Sequence, residues 1–120
     1  MNKVVLMGRL TNDVEVRYTQ TNNKAVASFS LAVNRRLDKE KTDFINIVAW
    51  GSTAEFCNKY FKKGQQVGVI GRIQIRDYDN KDGKKVYVTE VVAEEVYFAD
   101  SKKDNINVQE NNAEEDDLPF

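Results

Sequence analysis

An all-β domain with one helix, its five strands forming a small antiparallel barrel, is the fold class that residues 1–98 predict. Three observations carry this. Apolar residues recur at every second position in several separate runs, the period of a strand with one buried face. A single segment switches to helical spacing. All six glycines, and every aromatic residue but Phe120, fall within these 98 residues, so turns and core material are concentrated there.

The elements follow in order. Lys3–Leu10 is a strand with Val4 and Leu6 toward the core and Lys3 and Arg9 on the other side. A second strand has Ala25, Ala27, Phe29, Leu31 and Val33 at alternate positions, with Ser28, Ser30 and Asn34 between or beyond them. The third, Asp43–Trp50, turns Ile45, Ile47 and Ala49 inward and presents Phe44, Asn46, Val48 and Trp50 on the opposite face. Ser52-Thr53-Ala54-Glu55 then has the spacing of a capping box, in which hydroxyl and carboxylate satisfy the first-turn amides of a helix. Phe56, Cys57, Tyr60 and Phe61 recur at helical spacing, and Gly64 is expected to close the helix behind Lys62 and Lys63, whose charges suit the negative end of its dipole. The fourth strand sets Val67, Val69, Ile73 and Ile75 in the core and Arg72, Gln74, Arg76 and Tyr78 opposite, with Gly71 inside the run. Asn80-Lys81-Asp82-Gly83 reads as a hairpin loop, and Val86–Phe98 as a last strand too long to be unbroken. Three strands, a helix and two strands make the pattern of a five-stranded OB-fold barrel with the helix between strands 3 and 4.

Charge divides the chain in two. Of 120 residues, 18 are basic and 19 acidic, for a formal net charge of −1. Residues 99–120 hold seven acids against Lys102 and Lys103, a net of −5, while residues 1–98 carry a net of +4. The acidic part has few large apolar groups to offset the entropy of ordering, so it is expected to be a disordered tail. Its last five residues, Asp116, Asp117, Leu118, Pro119 and Phe120, are unusual for a segment that merely solubilises. Histidine is absent and Cys57 is the single cysteine. This removes the commonest general base, Ser-His and Cys-His nucleophiles, an internal disulfide and a Cys-rich zinc site. No cofactor, metal or enzymatic activity is therefore expected, and Cys57 reads as a small core residue. No apolar stretch approaches the roughly 20 residues of a membrane span, and Arg9 interrupts the N-terminal apolar run too early for a secretory signal. A cytoplasmic protein is expected.

The informative step is what lies opposite the core faces. Phe44 and Trp50 on one strand, and Arg72, Arg76 and Tyr78 on another, put rings and guanidinium groups where a solvated face needs only polarity. Single-stranded nucleic acid uses both, since its bases stack on aromatic faces and its phosphates need cations along the backbone. Duplex reading would instead need an element that enters a groove with base-edge donors. Other readings weigh against each residue taken singly: Trp50 or Phe44 covering a subunit contact, and Arg72 and Arg76 pairing with cross-strand acids. Two further readings use the loop aspartates Asp77, Asp79 and Asp82. A calcium loop does not match the order of an EF-hand, and a metal-dependent nuclease lacks an organised carboxylate cluster. An adaptor whose aromatic face binds protein, and a single-stranded RNA binder, are the rival functions.

Asn2-Lys3-Val4-Val5-Leu6-Met7-Gly8-Arg9-Leu10 with Glu15-Val16-Arg17-Tyr18 resembles the opening of the bacterial single-stranded DNA-binding proteins. Phe29–Arg35, Asp43–Asn46, Val48–Gly51, Tyr60–Gly64, Gly71–Ile73 and Thr89–Val91 continue the resemblance across residues 1–98, and the terminal Asp-Asp-Leu-Pro-Phe is similar to the family's acidic tip. The resemblance implies an OB-fold homotetramer that coats single strands without sequence preference in replication, recombination and repair. It implies stacking at Phe44, Trp50 and Tyr78, and a C-terminal tip, Asp116–Phe120, that recruits genome-maintenance proteins. The expected DNA-binding set is thus Lys3, Arg9, Arg35, Phe44, Trp50, Lys62, Lys63, Arg72, Arg76 and Tyr78.

Overall fold

Period-two runs become five of six strands and the helical run one helix among the described residues, which are residues 1–99 of a computed structural model; residues 100–120, with the Asp116–Phe120 tip and all of the expected tail but Ala99, lie outside them. The elements are β1 (Val4–Leu10), β2 (Glu15–Tyr18), β3 (Ala25–Asn34), β4 (Thr42–Trp50), α1 (Gly51–Tyr60), β5 (Gln66–Asp79) and β6 (Lys85–Phe98). Five of these strands are the expected ones. The addition is β2, whose four residues are too few for alternation to register.

The strands are ordered β1-β5-β6-β4-β3-β2, and a further pairing of β1 with β3 closes five of them into a ring, with β2 added alongside β3. On β3, Leu31 and Ala32 pair with β1 while Ala25–Ser28 pair with β2. Most pairings are antiparallel, but β4 meets β6 in parallel at Ile47↔Val91 and Val48↔Val92. That contact departs from a purely antiparallel barrel, and it is what joins the two halves of the sheet. Inside the ring Phe29, Leu31, Ile47, Ala49, Val67 and Val69 are buried, as the alternation requires. Each fully buried aliphatic or aromatic side chain of this kind contributes about 1.5–3 kcal/mol. Helix α1 adds Ala54 and Cys57 to the core, and burial pushes the Cys57 thiol up to about 12, which keeps it neutral and unreactive.

Three expectations are corrected. The capping box does not form: β4 runs directly into the helix through Gly51, whose φ of +60° suits glycine, so Trp50 takes the N-cap position without a side-chain cap and Ser52 lies inside the first turn. The helix ends at Tyr60, ahead of Gly64, because Phe61 turns extended and buries its ring against Phe29, Phe56 and Phe98 at centroid distances of 6.1, 5.8 and 5.6 Å. Lys62 and Lys63 therefore stand beyond the helix, and Lys59 is the basic residue of its last turn. Ile73 and Ile75 are exposed and not part of the core. Strand β1 reaches only as far as Gly71, and the β4–β6 pairing ends at Val91, opposite Ile73. Ile73 therefore stands at the margin of the ring, and Ile75 lies on a two-stranded arm, residues 74–79 of β5 with β6, that has no layer to bury against.

The long last strand is broken as expected. The register of β5 on β6 shifts at Ile70/Gly71, which pair with Glu95 and Ala93 and leave Glu94 as the extra residue of a bulge. Gly71 makes this close approach possible, since a Cβ there would collide with the Val92 carbonyl oxygen. At the tip, the Asn80 side-chain oxygen accepts the amides of Asp82 and Lys84 at 2.9 and 3.0 Å, and Gly83 adopts a φ of +77°. We expect Gly71→Ala to lower the unfolding free energy by about 1–3 kcal/mol, measured by urea denaturation; an unchanged midpoint would show that the bulge accommodates a methyl group freely.

Candidate nucleic-acid interface

Register decides which outward-facing side chains become neighbours. Across β2, β3 and β4 the pairs Arg17↔Val26 and Val26↔Trp50 form one row, and Glu15↔Ser28 and Ser28↔Val48 the next. Ser30↔Asn46 and Ala32↔Phe44 extend the same face along β3 and β4. Over it runs a groove of about 620 Å³, lined on one side by Arg17, Tyr18, Ser28, Asn46, Val48 and Trp50 and on the other by Gln74, Arg76, Val88 and Glu90 of the β5–β6 arm. The arm turns the outer face of the ring into a channel.

Trp50 is one of two exposed aromatic residues that line it, with Tyr18. It is 41% exposed, and Lys24 Nζ lies 5.9 Å from its ring centroid. A half-open indole with a cation beside it is equipped to stack a base next to a phosphate. The opposite wall holds a less usual group, Glu90, which is only 4% exposed. Its carboxylate accepts Arg76 Nε at 3.2 Å on both oxygens and Gln74 Nε2 at 3.2 Å on Oε2. A buried carboxylate requires such partners, because an uncompensated charge is costly to desolvate.

Of the expected DNA-binding residues, Trp50 and Arg76 line the groove together. Phe44, 68% exposed, lies on the same face of β4 six residues before Trp50, about 20 Å along the strand. Tyr78, half-exposed, follows Arg76 by two positions on the arm. The remaining cations gather elsewhere. Lys3 and Arg72 share Glu94, at 3.1 and 3.9 Å. Arg9 donates to the Gly64 carbonyl at 3.0 Å, next to the exposed Lys62 and Lys63. Arg35 bonds Asp43 through Nε and Nη2 at 3.2 and 3.0 Å. Arg72 and Arg76 thus do pair with acids across strands. Arg17, Tyr18 and Glu90 line the groove and Lys24 lies beside the Trp50 ring, and none of these four is in the expected set. Alternation in Glu15-Val16-Arg17 places Arg17 outward, but only the strand register brings it into one row with Trp50, across Val26.

A model of the single-strand binding protein family matches residues 1–99. The chain is similar to Single-stranded DNA-binding protein 3 of Clostridium acetobutylicum, at 54% identity over 92% of this chain and 79% of that protein. It is 46% identical to the single-stranded DNA-binding protein of Clostridium tetani, over 100% of this chain and 86% of the relative. With Single-stranded DNA-binding protein 2 of Listeria monocytogenes the identity is 50%, over 88% and 68% of the two chains.

The exposed Arg35–Asp43 pair sits beside Phe44 and has a measurable signature. The hydrogen bond from Arg35, aided by its charge, holds the Asp43 carboxyl below the usual carboxylate range. A lowered folded-state value makes the pair stabilising above the ordinary aspartate pKa, and that contribution is lost as pH falls through the lowered value. Arg35→Gln is expected to move the Asp43 titration, followed by carboxyl NMR, up toward the ordinary value of about 4; an unmoved titration would mean that the pair does not form in solution.

Proposed function

The chain belongs to the single-strand binding protein family, and from that premise we propose that it binds single-stranded DNA without sequence preference, coating and protecting exposed strands. The observation that carries the reading is the half-exposed Trp50 ring over a groove that also holds Arg17 and Arg76, with Lys24 at its edge. Rings accept any base, because every base has a π-face, and cations hold any phosphate. Phe44 and Tyr78, both exposed, extend the stacking surface beyond the groove along β4 and the arm. Phosphate contacts release counterions, so affinity falls steeply as salt rises.

The protein acts in the cytoplasm, on strands opened in replication, recombination and repair, and assembles as a homotetramer. Self-association is supported by β1, where Val5 and Met7 are exposed. Away from β5, this strand finds partners only at Arg9 and Leu10, so an edge and an apolar surface are both available for a second copy. Among the described residues no helix is long and apolar enough to cross a membrane. The terminal residues Asp116, Asp117, Leu118, Pro119 and Phe120 recruit repair and replication proteins, the Phe120 ring as an apolar anchor and the acids as its charged flank.

Titration with oligothymidylate is expected to quench Trp50 fluorescence. Trp50→Ala and Phe44→Ala should each weaken binding by about 1–3 kcal/mol with the circular dichroism unchanged. Absence of quenching would remove the stacking mechanism, and stronger competition by a matched RNA would reassign the substrate. Deletion of residues 116–120 should leave affinity for single strands equal or higher, since the acidic segment competes with phosphate, while capture of partner proteins fails; a loss of affinity would contradict this division of labour. A mass in solution four times that of the chain is expected, and a monomeric mass would refute the assembly.

A further inference from the structure

The Glu90–Arg76 contact has a geometry that bears on what Arg76 can do when a strand lies in the groove. Both carboxylate oxygens of Glu90 engage Nε of Arg76, the inner nitrogen of the guanidinium, and neither engages the terminal Nη groups. Glu90 is nearly sealed from water while the Arg76 side chain is half exposed. Gln74 holds the carboxylate from its other side through Oε2. The guanidinium is therefore anchored at its base, with its outer amines available to a ligand. Arg17, on the opposite wall, differs in having no ion-pair partner among the described residues.

A phosphate that approached Arg76 would bring a second negative charge onto a guanidinium already neutralised by a poorly hydrated carboxylate, where screening by water is weak. A base suffers no such repulsion. Its carbonyl and ring-nitrogen acceptors can take the Nη donors, and its face can stack on the guanidinium plane. Trp50 lines the same groove, so a base placed there is a neighbour of one stacked on the indole.

We propose that Glu90 is a positioning residue that assigns Arg76 to the bases of a bound strand and withholds it from the phosphates. This rests on the single-strand reading above. Phosphate neutralisation would then fall to cations without a buried acid, such as Arg17 and Lys24.

The salt dependence of binding tests this, because each phosphate contact to a single strand contributes about 0.7 to the slope of log K against log salt, whereas a base contact contributes none. The full chain, Arg76→Gln, Glu90→Gln and the double variant would be titrated with oligothymidylate over a series of NaCl concentrations. Arg76→Gln is expected to bind about tenfold more weakly at every concentration, in line with a lost base contact, with a slope parallel to that of the wild type. Glu90→Gln should steepen the slope by about 0.7, as the released guanidinium moves to a phosphate. The double variant should return to the wild-type slope. A shallower slope for Arg76→Gln, or an unaltered slope for Glu90→Gln, would overturn the assignment. If either single variant fails to fold by circular dichroism, the double variant decides: a parallel line with reduced affinity supports the proposal and a shallower line defeats it. Failure of the wild type to bind oligothymidylate would remove the single-strand reading itself, a result distinct from any change of slope.

Discussion

Two residue pairs, Arg9↔Ala32 and Leu10↔Leu31, convert this sheet into a ring. Without them β1 would be a strand on one open edge and β2 with β3 would form the other. With them, every inward side chain faces others across the interior, and Leu10 and Leu31, which make the closure, are themselves buried. Closure also defines the outside. Once the core is satisfied within the ring, outward positions such as Phe44 and Trp50 have no apolar layer of the same chain to cover them, and their exposure follows from the topology.

The arm supplies the second wall. Past Ile73, β5 and β6 pair only with each other, and an isolated hairpin of this kind has no core of its own. It leaves Ile75, Tyr78 and Tyr87 exposed, and it extends Gln74 and Arg76 over the face that carries Trp50. The bulge at Glu94 lies where arm meets ring, and Gly71 allows the backbones to approach there. A groove bounded by a rigid ring on one side and a hairpin on the other is open enough to admit a flexible polymer along its length.

Charge in the folded part is less free than its net of +4 suggests. Lys3, Arg35, Arg72 and Arg76 each have a carboxylate partner. Three of these pairs are exposed at both ends and easily exchanged for phosphate, since surface pairs are worth little. The fourth has a buried acid and resists exchange. The same residue type thus has different work at different positions, set by the burial of its partner and not by its own exposure.

Much of this was legible in the chain. Period-two spacing assigned inward and outward residues correctly for β3 and β4, and Gly83 with Asn80 marked the hairpin tip. The capping box at Ser52 misled because a strand running straight into a helix through Gly51 leaves no room for a separate cap. Ile73 and Ile75 misled because alternation reports which side a residue faces and not whether anything lies there. Local spacing, in short, determined sidedness and the hairpin tip, while the family was marked by a resemblance of whole segments in order. Only the tertiary structure decided which sides share a site: Arg17 in one row with Trp50, Glu90 bonded to Arg76, and the arm across from β4. Those neighbours are set by strand register and ring closure between residues as far apart as 17, 50 and 90, and no short-range pattern encodes a contact over such a separation.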